Sequence, residues 1–86
     1  MTFMDPETER IFGVVKANVV KVLTGLDPAL VTIERSLTEL GANSVDRVEI
    51  VLYSAEDLGL DVPRAELHGA RNLADLVAVV RRHAGR

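Results

Sequence analysis

Three apolar runs repeat at three- and four-residue spacing, each with a capping signal in front, and they leave this chain little to fold into other than helices. The first follows Asp5-Pro6. An aspartate oxygen suits an N-cap, a proline at the first helical position gives up no needed N–H, and Glu7 and Glu9 lie at the positive end of the dipole. Ile11, Val15, Val19 and Val22 then share one face until Gly25 provides a stop. The second run extends from about Ser44 to Leu58 and ends near Gly59. The third starts at Asn72, which forms a capping pair with Asp75. It places Leu73, Leu76, Val77 and Val80 on one face and Arg81, Arg82 and His83 at its negative end. No strand-like alternation and no internal repeat is visible.

The connections carry their own signals. Residues 26–43 contain the turn formers Asp27-Pro28, Gly41 and Asn43, but also Leu26, Leu30, Val31, Ile33, Leu37 and Leu40. So many apolar residues predict a long loop pinned to the core, with Ser36-Leu37-Thr38-Glu39 forming one capped turn. Pro63 to Leu67 has room for a short helix after an extended Leu60-Asp61-Val62. The expected fold is all-α, a small four-helix bundle of three main helices and one short one, with residues 1–86 as a single domain. At 48% apolar and 3% aromatic residues, its core must be built from Leu, Val, Ile and Ala.

Charge and composition narrow the function. A formal net charge of -3 argues against nucleic acid or an anionic membrane as the main partner, because both would repel the protein. Without cysteine there is no disulfide, thiolate metal site or cysteine nucleophile, so any thiol chemistry must be borrowed. Met1 to Glu9 lacks the basic and apolar regions of a leader, and no apolar run approaches about 18 residues, so a cytoplasmic protein is expected.

Helix two has more apolar surface than a simple bundle needs. At 100° per residue, Val45, Val48, Ile50, Val51, Leu52, Ala55 and Leu58 cover an arc of about 220°, broken by Arg47 and Ser54. A core-facing stripe needs roughly half of that. The surplus flank, Val45 and Leu52 beside Glu49 and Glu56, reads as a surface kept apolar for a partner, or else as a central helix buried on more sides. The acidity gathers here too. From Glu39 to Asp61 there are six acids and one base, Arg47, whereas the rest of the chain holds seven acids and nine bases. Such a patch is either a solvated face or a steering surface.

Ser44, between a turn and an apolar helix, has three readings. It can cap the helix, although Asn43 could do so equally well. It can be a nucleophile, which requires a base within reach. The only histidines are His68, in a loop, and His83, in a C-terminal helical turn, and no G-x-S-x-G elbow surrounds the serine. It can accept a modification, since a helix N-terminus favours an attached anion.

The string "LTELGANSVDRVEIV" followed by "EDLGLDVP" resembles the acyl carrier proteins, with their G-[AG]-D-S-L motif, acidic second helix and "GV-x-IP"-like end before a short helix. "NLADLVAVV" is similar to that family's last helix, so the resemblance covers essentially the whole chain. It implies a carrier rather than an enzyme, with no catalytic residue or metal. It also implies that Ser44 takes 4′-phosphopantetheine from coenzyme A through a phosphopantetheinyl transferase, whose arm supplies the missing thiol. Val45, Asp46, Val48, Glu49, Leu52 and Glu56 would face partner enzymes, and Ile50, Val51 and Leu58 would pack inward.

Three departures refine the resemblance. Asn43 stands where most members have aspartate, Val45 where most have leucine, and Arg47 adjoins the attachment site. This variant resembles the free-standing donor carriers of polyketide β-branching cassettes, which have "GANS-[IV]-DR". That resemblance implies a monomer that receives malonyl from an acyltransferase, has it converted to acetyl by a decarboxylase, and presents it to an enzyme resembling hydroxymethylglutaryl-CoA synthase. Val45, Arg47 and Leu52 are then the residues expected to distinguish partners. The plainer reading of Arg47 is an exposed side chain paired with Asp46 or another carboxylate. A general fatty-acid or polyketide carrier, and a non-carrier helical adaptor in which Ser44 only caps, are the alternatives.

Overall fold

In the computed structural model, which describes residues 5–70 and 72–84, the helices begin where the capping signals stand. The first helix, α1, spans Pro6–Val22, with Asp5 Oδ1 accepting from Thr8 N at 2.8 Å. The second, α2, spans Ser44–Leu58, and the third, α3, spans Leu73–Ala84. Asn72 Oδ1 accepts from Asp75 N at 2.8 Å, as the capping pair predicts. At the end of α2, Gly59 takes a left-handed conformation (φ 68°), and Leu60 N donates back to Ala55 O at 2.8 Å. This closing turn satisfies carbonyls that the helix end would otherwise orphan.

The connections differ in detail from expectation. The predicted short helix is a 3-10 turn, Arg64–Gly69, and a smaller one forms at Pro28–Leu30. Both follow or begin at a proline and are too short for a sustained α-helical ladder. His68, read as a loop residue, belongs to the longer of these turns, and its side chain lies outside what the structure describes. Among the described residues there is no strand, and no helix is long and apolar enough to cross a membrane.

The helix α1 packs against both α2 and α3, whereas α2 and α3 meet only sparsely. Ile11, Val15 and Val19 of α1 are fully buried between Ile50 on one side and Leu73, Leu76, Val77 and Val80 on the other. Val31, Leu37, Leu40 and Ala42 of the long loop close the same core, which is what pins that loop down. A polar contact sits in the α1–α2 seam. Asn18, 4% exposed, shares the two hydrogens of Nδ2 among Val14 O at 3.0 Å, Ser54 Oγ at 3.2 Å and Asp57 Oδ2 at 3.0 Å, while Ser54 Oγ donates to Ile50 O at 2.7 Å. Every buried polar side-chain atom among the described residues is satisfied, as a low-dielectric interior requires. Lys21 lies over the Tyr53 ring at 4.9 Å along the same seam. Elsewhere Arg81 pairs with Asp5 at 2.7 Å, and Glu66 of the longer 3-10 turn meets His83 at 3.0 Å and Arg82 at 3.4 Å.

Candidate functional site

The chain arrives at Ser44 along a loop fastened at both ends. Ser36 and Glu39 form the expected capped turn: Glu39 N donates to Ser36 Oγ at 3.0 Å, and Ser36 N donates to Glu39 Oε1 at 2.9 Å. Upstream, Leu73 N donates to Arg35 O at 2.8 Å and Ala74 N to Ile33 O at 2.9 Å, so the loop supplies acceptors to the first turn of α3. Downstream, Gly41 adopts φ 98° and Ala42 N donates to Leu37 O at 3.0 Å, which turns the chain into Asn43.

The cap of α2 belongs to Asn43. Its Oδ1 accepts from Asp46 N at 2.7 Å, and Asp46 Oδ2 accepts from Asn43 N at 3.1 Å, a reciprocal capping box. Ser44 is therefore the first helical residue and not the cap, which corrects one of its three readings. Its side chain is exposed, and its hydroxyl makes no hydrogen bond to any described residue. Among the described side chains no base engages it, and His83 is occupied with Glu66, so the described residues give the nucleophile reading no geometric support. What remains is an unengaged hydroxyl at the positive end of a 15-residue helix.

On α2 the inward face is centred near Ser54, with Ile50 and Ala55 buried and Val51 and Leu58 half-buried. The surplus flank stays in solvent: Val45 is 65% exposed, Leu52 53% and Val48 37%. Glu56 is exposed beside it, and Glu49 and Asp46 are half-buried. Asp46 thus has a structural task in the capping box besides any surface role.

Because α1 holds α2 and α3 apart, a cleft of about 570 Å³ opens next to Ser44. It is bordered by Ser44, Arg47, Val48 and Val51 of α2, Ser36, Leu37 and Thr38 of the loop, and Leu67, Ala70, Asn72 and Leu76. A smaller cleft of about 150 Å³ lies further along α2, against Leu52, Ala55, Leu60 and Val62. Sequence periodicity finds the α2 side of the larger cleft but not Leu67 or Ala70, which come from a short turn and the residue that ends it, without a period of their own.

Arg47 does not pair with Asp46 or with any other described carboxylate. Its Nη1 donates to Thr38 Oγ1 and to Ala42 O, both at 3.3 Å, so the half-buried side chain reaches back to the loop rather than along the helix. Asp46 is its immediate neighbour on the helix and so does not face it, and the Asp46 carboxylate turns back to accept from the Asn43 amide.

The comparisons with known proteins agree on one family. A family model described as a phosphopantetheine attachment site matches residues 17–80. The chain is 45% identical over 74 residues to the polyketide biosynthesis acyl-carrier-protein AcpK of Bacillus subtilis, covering 86% of this chain and 90% of that one. It is 32% identical over 65 residues to the acyl carrier protein of Rhodococcus erythropolis, covering 74% and 71%. It is 31% identical over 67 residues to the meromycolate extension acyl carrier protein of Mycolicibacterium smegmatis, covering 77% and 68%.

Proposed function

Since the chain belongs to the acyl carrier proteins, a family of phosphopantetheine-bearing carriers and not of catalysts, we propose that Ser44 is its attachment residue and that it serves as an acetyl donor in polyketide β-branching. The observation that carries the first part is the unengaged Ser44 hydroxyl at the mouth of the cleft, released from capping by Asn43. The residues fit the group: the helix start and the Arg47 guanidinium both favour the added phosphodiester charge. Once attached, phosphopantetheine supplies a terminal thiol that holds acyl cargo as a thioester, which accounts for a carrier without cysteine.

The protein's own residues then do the recognition. Val45, Val48 and Leu52 form an exposed apolar strip, and Asp46, Glu49 and Glu56 give it a negative rim. A small strip with charged edges suits brief docking to a transferase and to successive enzymes, because steering raises encounter rates without slowing release. The donor role is supported by the "GANSVDR" sequence and by the 45% identity to a relative named for polyketide biosynthesis. Its partners would be an acyltransferase, a decarboxylase and an enzyme resembling hydroxymethylglutaryl-CoA synthase.

Two measurements test the proposal in sequence. Incubation with coenzyme A and a phosphopantetheinyl transferase should add one phosphopantetheine by intact mass, and Ser44→Ala should abolish the gain; continued modification of that variant would move the site elsewhere. The acetyl form should then transfer acetyl to the synthase-like enzyme far better than a fatty-acid carrier bearing the same arm. Equal transfer from the two would refute the donor role and leave a general carrier.

A further inference from the structure

Arg47 is the single base between Glu39 and Asp61, a segment with six acids, yet among the described residues it forms no ion pair. Among the described residues its side-chain hydrogen bonds are two long ones, from Nη1 to the neutral acceptors Thr38 Oγ1 and Ala42 O. A guanidinium has five N–H donors in a planar fork, so most of its capacity is unspent. It stands three residues after Ser44 on α2, which places the two side chains on adjacent turns of one face, and both line the same cleft.

Resting on Ser44 as the attachment residue, we propose that Arg47 is a positioning residue for the root of the phosphopantetheine arm: its guanidinium pairs with the phosphodiester and ties it to the loop at Thr38 and Ala42. Transfer from coenzyme A joins Ser44 Oγ to the phosphorus next to the pantetheine arm, breaks that phosphorus's bond to the adenosine bisphosphate leaving group, and releases the hydroxyl proton to a base on the transferase. A fixed negative charge thereby arises one helical turn from an unpaired cation. Arg47 is already restrained on the loop side, so pairing requires no new backbone arrangement, and its fork can serve the loop from Nη1 and the phosphodiester from its other nitrogens. The consequence is a direct link between modification and the 38–42 loop, whose Thr38 borders the cleft.

The test compares apo and holo forms of wild type, Arg47→Lys and Arg47→Gln, each made with coenzyme A and a phosphopantetheinyl transferase and checked by intact mass. In wild type, modification should shift the Arg47 side-chain N–H resonances and the Thr38 and Ala42 amides, and should raise the thermal midpoint by about 2–4 °C at low salt, a gain that fades as salt rises. Arg47→Lys should keep part of the gain. Arg47→Gln should lose it, together with the loop shifts and any salt dependence of the phosphorus resonance. Identical loop shifts, phosphorus behaviour and thermal gain in wild type and Arg47→Gln would overturn the proposal. Failure of wild type to gain mass would instead refute Ser44 attachment, so the two failures are distinguishable.

Discussion

Asn43 and Ser44 offer a sharp test, because both carry a capping oxygen but the structure gives the cap to only one. In Asn43→Ala the 2.7 Å bond from Asp46 N to Oδ1 is lost, while the reverse bond from the residue 43 amide to Asp46 Oδ2 survives, since its donor is backbone. One exposed capping bond is removed, and the expected cost is about 1 kcal/mol. For a domain of this size that corresponds to a fall in thermal midpoint of about 4–8 °C. Ser44→Ala removes a hydroxyl without a described partner and substitutes a better helix former, so stability should stay within about 0.5 kcal/mol of wild type. The double variant should match Asn43→Ala alone. Urea and thermal unfolding of the four apo proteins, followed by circular dichroism, measures all of these. If Ser44→Ala lost as much stability as Asn43→Ala, or if the double variant lost clearly more, the serine would be sharing the cap and its hydroxyl would not be free.

Three other outcomes are expected. Glu49→Lys should slow association with the transferase roughly 3- to 10-fold at low salt without unfolding the protein, and raising salt should narrow the gap; stopped-flow binding checks this, and equal rates would mean the acidic rim only holds water. Gly59→Ala should cost about 1–2 kcal/mol although an added Cβ meets nothing within 4 Å, because the whole penalty is the left-handed backbone at φ 68°; urea midpoints read it directly. The Asp5 carboxyl is held below its ordinary 3.8 by the hydrogen bonds from the Thr8 backbone and hydroxyl, with Arg81 adding to the effect. A lowered folded value means its contribution is present above 3.8 and is lost as pH falls through the lower folded value, so Asp5→Asn should flatten that part of the acid unfolding curve while still capping α1.

Capping chemistry acts over three or four residues, and for that reason the sequence alone determined the three helices and nearly all of their ends. Asp5-Pro6, the Ser36–Glu39 turn, Asn72 with Asp75 and the terminating Gly59 each carry their geometry within one turn of chain. The motif around Ser44 and the surplus apolar flank were legible for the same reason: one helix displays both. Which of two adjacent capping residues binds was already beyond that reach, since it depends on Asn43 being extended (φ -84°, ψ -177°) as the loop delivers it. Ser54 reads in sequence as a gap in the apolar arc, yet it is buried, because its partner Asn18 lies 36 residues away on α1. The plainer reading of Arg47 pairs it with a neighbouring carboxylate, yet it holds Thr38 and Ala42, because the loop folds back over the start of α2 and brings those acceptors within its reach. The cleft has no signal in any one segment. It exists because α1 packs on both other helices and keeps them apart, so Ser44, Leu67 and Leu76 come to share a boundary only once the three helices have assembled.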